Sequence, residues 1–149
     1  MTTPVGVLNH ANSFLKAAEH LRQEIIAEHI LLPFSDPVSL LFGHGIELTM
    51  KAFLQEKNAA GVWGHDLEAL RTKVQAHGCP LSLDETEAGH FNLINNVFGK
   101  TPYEVRYLVT GFSSVHDDAI ISKIAFRFAL EVAQHIPGSV RRPTSGSRV

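Results

Sequence analysis

Asp36-Pro37-Val38-Ser39-Leu40-Leu41-Phe42-Gly43-His44-Gly45-Ile46-Glu47-Leu48-Thr49-Met50-Lys51-Ala52-Phe53-Leu54-Gln55-Glu56-Lys57-Asn58 reads as one helix that is apolar around almost its whole circumference. Advancing about 100° per residue from His44 brings Glu47, Lys51 and Gln55 close to one line. Val38, Leu41, Phe42, Ile46, Leu48, Met50, Phe53 and Leu54 cover most of the rest. A helix with so narrow a polar strip lies inside a bundle or at an oligomer interface. Its His44, Glu47 and Lys51 then either emerge through a slot to solvent or face a shared polar cavity. Glu47 and Lys51, four apart in the favourable order, also form an ordinary helix ion pair worth a few tenths of a kcal/mol.

The flanking sequence is helical too, and its breaks fall at turn residues. From Val7 to about Leu31, Leu8, Ala11, Phe14 or Leu15, Ala18, Leu21 or Arg22, Ile25 and Ile26 recur at three- and four-residue steps, and Pro33 closes the run. Asp36 and Pro37 supply a cap and a first-turn proline for the central helix, which is expected to end before Ala59-Ala60-Gly61. Gly64-His65-Asp66-Leu67 opens a third helix, with Leu67, Leu70 and Val74 inward and Gly78 and Pro80 beyond its end. Asp84 with Glu87 three residues on is a capping-box start for a fourth helix to about Phe98, burying Phe91, Leu93, Ile94 and Val97. Residues 99 to 116 read as a connector with a short ordered piece around Tyr103 to Val109. Asp117-Asp118 start a last helix with Ile120, Ile121, Ile124, Phe128 and Val132 facing the core. The expected fold is an all-α, up-and-down bundle of about five helices over residues 1–136.

Composition narrows the function. The chain has 149 residues, 44% hydrophobic and 19% charged, which suits one globular core. Lys and Arg total 13 against 15 Asp and Glu, so no overall basic field recommends a duplex nucleic-acid binder. Cys79 is the single cysteine, which excludes an intramolecular disulfide framework and any multi-thiolate metal site within one chain. It reads as a small loop or packing residue. No stretch reaches the roughly 18 apolar residues of a membrane span, and no secretory leader is legible, so a cytoplasmic protein without a membrane partner is expected. From Pro137 onward, Arg141, Arg142 and Arg148 stand with no acid in a Pro/Gly/Ser-rich tail, leaving 10 bases against 15 acids elsewhere. That tail, 137–149, is expected to be disordered and basic.

Three pieces, the run Pro37 to Leu54, then Gly64-His65-Asp66-Leu67-Glu68-Ala69-Leu70, then Arg106-Tyr107, resemble the HEPN superfamily over roughly residues 10 to 135. The resemblance implies a small bundle built on a long antiparallel helix pair, usually homodimeric. Many such proteins are metal-independent ribonucleases of toxin–antitoxin, phage-defence or RNA-processing systems; others are binding or dimerisation modules. Catalytic members carry an Arg followed, after four to six residues, by a His late in the bundle. Here Arg106 meets no His until His116, and Arg127 to His135 has one intervening position too many. Arg22 to His29 and Arg71 to His77 fit the spacing, but seven arginines and nine histidines yield about one such pair by chance.

If the start of the third helix caps the polar strip of the second, His44, Glu47, Lys51, His65, Asp66 and Arg106 converge. A base and a cation from such a set can take a 2′-hydroxyl proton and stabilise phosphorane charge without metal. His44, Lys51 and Arg106 are accordingly the candidate catalytic residues, and Glu47, His65, Asp66 and Tyr107 the candidate binding residues. The bland alternative makes Glu47–Lys51 and Asp66–Arg106 packing pairs, with Asp66 an N-cap. His44, Glu47, His65 and Asp66 also form a nominal metal set, but Lys51 within one turn opposes it, so neither metal nor cofactor is expected. Trp63 is the best exposed-aromatic candidate, at a subunit contact. Phe98, Tyr103, Tyr107 and Phe112, interleaved with Lys100 and Arg106, can stack bases, although aromatic residues in a bundle are more often core. The expected function is a dimeric HEPN-like binding or regulatory module of a defence or toxin–antitoxin type, with RNA or an antitoxin-type protein as partner. The alternative is a metal-independent endoribonuclease with an atypical His/Arg site.

Overall fold

The structure, a computed structural model, describes residues 2–30, 36–100 and 116–139. Among them it contains five helices and no strand: α1 (Pro4–Ile26), α2 (Asp36–Glu56), α3 (Leu67–Ala76), α4 (Glu85–Phe98) and α5 (Asp118–Ala133). The protein is an all-α helical bundle. The short ordered piece expected around Tyr103, the tail beyond Ser139, and Arg106 and Tyr107 lie outside the described residues.

α2 is the hub, packed against all four other helices. It runs antiparallel to α1: Gln55 near its end donates to the Thr2 carbonyl before α1 starts, and Gly45 at its middle lies against Ala11 and Leu15. Two glycines make this closeness possible. A Cβ on Gly45 would sit 2.3 Å from Leu15 Cδ2, and one on Gly43 would sit 2.5 Å from the Phe98 ring of α4. The Gly43-His44-Gly45 sequence thus lets two helices approach the α2 backbone from different sides while His44 stands between them. Around this seam Phe42, Phe53, Phe91, Phe98 and Phe128 are fully buried. Each contributes about 1.5–3 kcal/mol of transfer free energy.

Four caps set where helices begin. Thr3 accepts from the Gly6 N–H, Asp66 from Glu68 and Ala69, and Asp117 from Ala119. Asp84 and Glu87 form a reciprocal capping box. Two α1 boundaries differ from the periodicity. The helix starts at Pro4, three residues early, because Thr3 and Pro4 supply a cap and a first-turn proline. It ends at Ile26 rather than near Leu31, and the chain turns through Glu28 at φ +59°. Leu93 and Ile120, expected in the core, are only half-buried.

Charged residues fasten the helices to each other. On α1, Glu19 takes two hydrogen bonds from Arg22 at 2.8 and 2.9 Å, and Ser122 of α5 donates to it at 2.7 Å. The Arg22 bond dominates, with Gln23 and Ser122 adding to it against a burial cost, and together they hold the Glu19 carboxyl down at about 2 from an ordinary 4.5. A carboxyl whose folded value is depressed stabilises the fold above its unfolded value and loses that contribution as pH falls. Wild-type stability is therefore expected to fall between pH 4.5 and about 2 more steeply than that of Glu19→Gln, in urea melts at each pH. Parallel slopes for the two proteins would contradict this.

Candidate functional site

Glu47 occupies the polar strip of α2 and is 2% exposed. An ionised carboxylate that deep needs partners. Lys51, one turn on, donates to Oε1 at 2.6 Å. His65 reaches across from the α2–α3 loop and puts Nδ1 3.1 Å from Oε1 and 3.2 Å from Oε2. Because a carboxylate only accepts, Nδ1 carries the hydrogen and Nε2 lies on the far side of the ring. Gly64, at φ +104°, allows the turn that brings His65 over α2. His44 Nδ1 stands 4.0 Å from Glu47 Oε2, and its ring meets Phe14 of α1 edge-on at 4.5 Å between centroids. The side chains of His44, Lys51 and His65 are 36%, 21% and 37% exposed, so this cluster opens to solvent on one side of a buried carboxylate.

Four of the residues marked by sequence therefore converge. Asp66 is next to them but faces elsewhere. Its carboxylate caps α3 and accepts from Asn95 Nδ2 of α4 at 2.9 Å. Burial raises the Asp66 pKa, but Asn95, the α3 amides and the Lys100 charge outweigh it and hold the group below its ordinary value. Asn95, itself fully buried, also accepts from the Leu67 N–H at 2.8 Å, so α3 and α4 share one polar joint. Sequence patterning gave no sign of Asn95.

The Arg–His spacings do not form sites. Arg22 is spent on Glu19, and His29 pairs with Glu24 while 69% exposed. Arg71 holds Glu68 and the Leu81 carbonyl, and His77 contacts the Lys73 carbonyl of its own helix. Arg127 is bound to Glu87 at 2.6 Å and to the Ser82 carbonyl. Two histidines without an expected role are joints. His90 accepts from the Asp117 N–H, and His116 joins the starts of α2 and α5. His116 Nε2 lies 3.0 Å from both Ser39 Oγ and Asp118 Oδ1, whereas a Ser-His-Asp relay requires opposite ring nitrogens on the two partners.

Beside the Glu47 cluster runs a cleft of about 460 Å³, lined by the α2–α3 loop, one face of α3 and the residues after α4. Trp63 on its rim is 91% exposed. Cys79 is buried elsewhere, under the α3–α4 loop, with Sγ 3.7 Å from Glu131. Burial, then the Glu131 charge, pushes its thiol up to about 12. Ellman's reagent is expected to modify Cys79 only as fast as the protein unfolds, and rapid labelling of native protein would contradict that burial.

Among the described residues no group of three or more His, Cys, Asp or Glu side chains is arranged to hold a metal ion, and no helix is long and apolar enough to cross a membrane. The chain is an all-α bundle with a buried carboxylate, Glu47, ringed by Lys51, His65 and His44. No family model matches the chain, and no curated protein or solved structure does either.

Proposed function

We propose that this chain is a HEPN-like helical binding or regulatory module, dimeric and cytoplasmic, of a defence or toxin–antitoxin type system, with RNA or an antitoxin-type protein as its partner. The observation that carries the reading is the buried carboxylate of Glu47, which takes up both Lys51 and His65. The cation is thereby held within α2, and the imidazole is engaged in joining the α2–α3 loop to it. A site of that kind positions a surface; it does not leave its cation for a phosphorane.

One observation favours the endoribonuclease as a second reading. An imidazole with Nδ1 on a carboxylate and Nε2 turned away is the arrangement that orients a general base. Structured RNA incubated in EDTA with wild type, His44→Ala, His65→Ala and Arg106→Ala separates the two. The module leaves the RNA intact. Cleavage by wild type that the variants abolish, with their thermal midpoints unchanged, establishes the ribonuclease instead. Light scattering tests the dimer, with an expected mass twice the 16.4 kDa of the chain; a monomer at every concentration contradicts it.

A further inference from the structure

We infer that the cleft beside Trp63 binds a small organic anion, a carboxylate or phosphate monoester carried on an aromatic ring. The inference adds a ligand to the binding-module reading and needs neither the dimer nor RNA. At about 460 Å³ the cleft falls within the ~300–1,000 Å³ typical of small-molecule sites. Its walls divide by chemistry. Trp63 presents an indole face on the rim, and Ala69 and Leu70 of α3 line the wall beside it. Lys73 and Lys100 stand on the lining together with His65, whose Nδ1 is on Glu47 and whose other ring edge faces away from it.

Charge decides the sign of the ligand. Among the described residues Asp66 is the one acidic member of the lining, and its Oδ1 is already shared among two α3 amides and Asn95. Two ammonium groups therefore face the cleft against one carboxylate, whose Oδ1 is taken up in this way. Lys73 also holds the Gly61 carbonyl, which ties the loop carrying Trp63 to α3, and the exposed Lys100 is the second cation of the lining. Gly99 does not hold space for the ligand. A Cβ there would lie 2.4 Å from the His65 carbonyl and 2.1 Å from Asn95 Oδ1, so its smallness serves the joint between the loop and α4.

Charge also limits the size of the ligand. The protein carries a net −2, and the chain before residue 137 holds 10 bases against 15 acids. A polyanion reaching beyond a Debye length of about 8 Å meets that negative field, whereas an anion of one or two charges meets only the local lysines. An aromatic ring stacked on Trp63 then supplies the apolar part of the binding.

Trp63 is the single tryptophan of the chain, so its fluorescence reports on this cleft alone. Full-length protein is titrated with phenyl phosphate and, separately, with phenylacetate; inorganic phosphate and benzyl alcohol serve as the ring-less and charge-less controls. A saturable change with one of the aryl anions, stronger than with either control, is expected, and the tighter of the two names the head group. Lys100→Ala is expected to weaken it roughly three- to fivefold, as for loss of one solvent-exposed charge contact. Calorimetry on Trp63→Phe, where no fluorescence is needed, is expected to show weaker binding with the fold retained by circular dichroism. No saturation with either aryl anion, an equal response to benzyl alcohol, or unchanged affinity in Lys100→Ala overturns the inference. So does a single-stranded oligonucleotide that binds the cleft more tightly than both. None of these results bears on RNA cleavage or dimer mass, so failure here is separable from failure of the module reading.

Discussion

Replacing Gly45 with valine is expected to lower stability by about 3 kcal/mol or more. The first new carbon alone falls 2.3 Å from Leu15 Cδ2, 2.7 Å from Leu15 Cγ and 3.3 Å from the Ala11 carbonyl oxygen. Leu15 is fully buried and cannot swing aside without displacing neighbours, and the Ala11 oxygen belongs to the α1 backbone. The helix-propensity gain of about 1 kcal/mol for removing a mid-helix glycine, smaller still for a β-branched residue, does not offset this. Urea unfolding followed by circular dichroism checks it. A midpoint within about 0.5 kcal/mol of wild type would show that α1 and α2 do not meet at this glycine. A loss of that size is a large share of the roughly 5–15 kcal/mol that holds a domain of this kind together.

Asn95→Ala is expected to cost about 3 kcal/mol as well, by a different route. The side chain satisfies the buried Leu67 N–H with its oxygen and the Asp66 carboxylate with its nitrogen. Truncation leaves a buried donor unpaired, at about 1–3 kcal/mol, and removes a hydrogen bond to a charged group worth about 1.5–3 kcal/mol, with some relief from water entry. Hydrogen exchange should show the first turn of α3 opening before the rest of the bundle. Unchanged protection there, with global stability intact, contradicts the role given to Asn95.

The two residues also mark what sequence reading reaches. Asp84 with Glu87, Asp66 and Asp117 are legible because a cap depends on residues two or three apart. The Glu47–Lys51 pair is legible for the same reason, and the inverted wheel of α2 correctly makes it the hub. The end of α1 is not legible: Ile25, Ile26 and Ile30 continue an apolar period past the point where Ala27 and Glu28 leave the helix. Asn95 lies 28 and 29 residues from its partners, and Ser39 lies 77 from His116; no local rule pairs positions that only packing brings together. The role of Gly43 and Gly45 is hidden likewise, since a helix glycine announces a close approach without saying which helix makes it. His65 over Glu47 depends on the start of α3 covering the polar strip of α2, an arrangement that packing decides and the local sequence does not.

Glu47→Gln keeps the size of the side chain and removes its charge, and its unfolding free energy separates a structural carboxylate from a functional one. If Glu47 exists to hold Lys51 and His65 against α2, the amide is expected to lower stability by about 1.5–3 kcal/mol, the range for hydrogen bonds to a charged group. A carboxylate retained at a cost to the fold for turnover behaves oppositely, because relieving a buried charge leaves stability unchanged or raises it. Stability equal to or above wild type, accompanied by lost RNA cleavage, would contradict the module reading at its foundation.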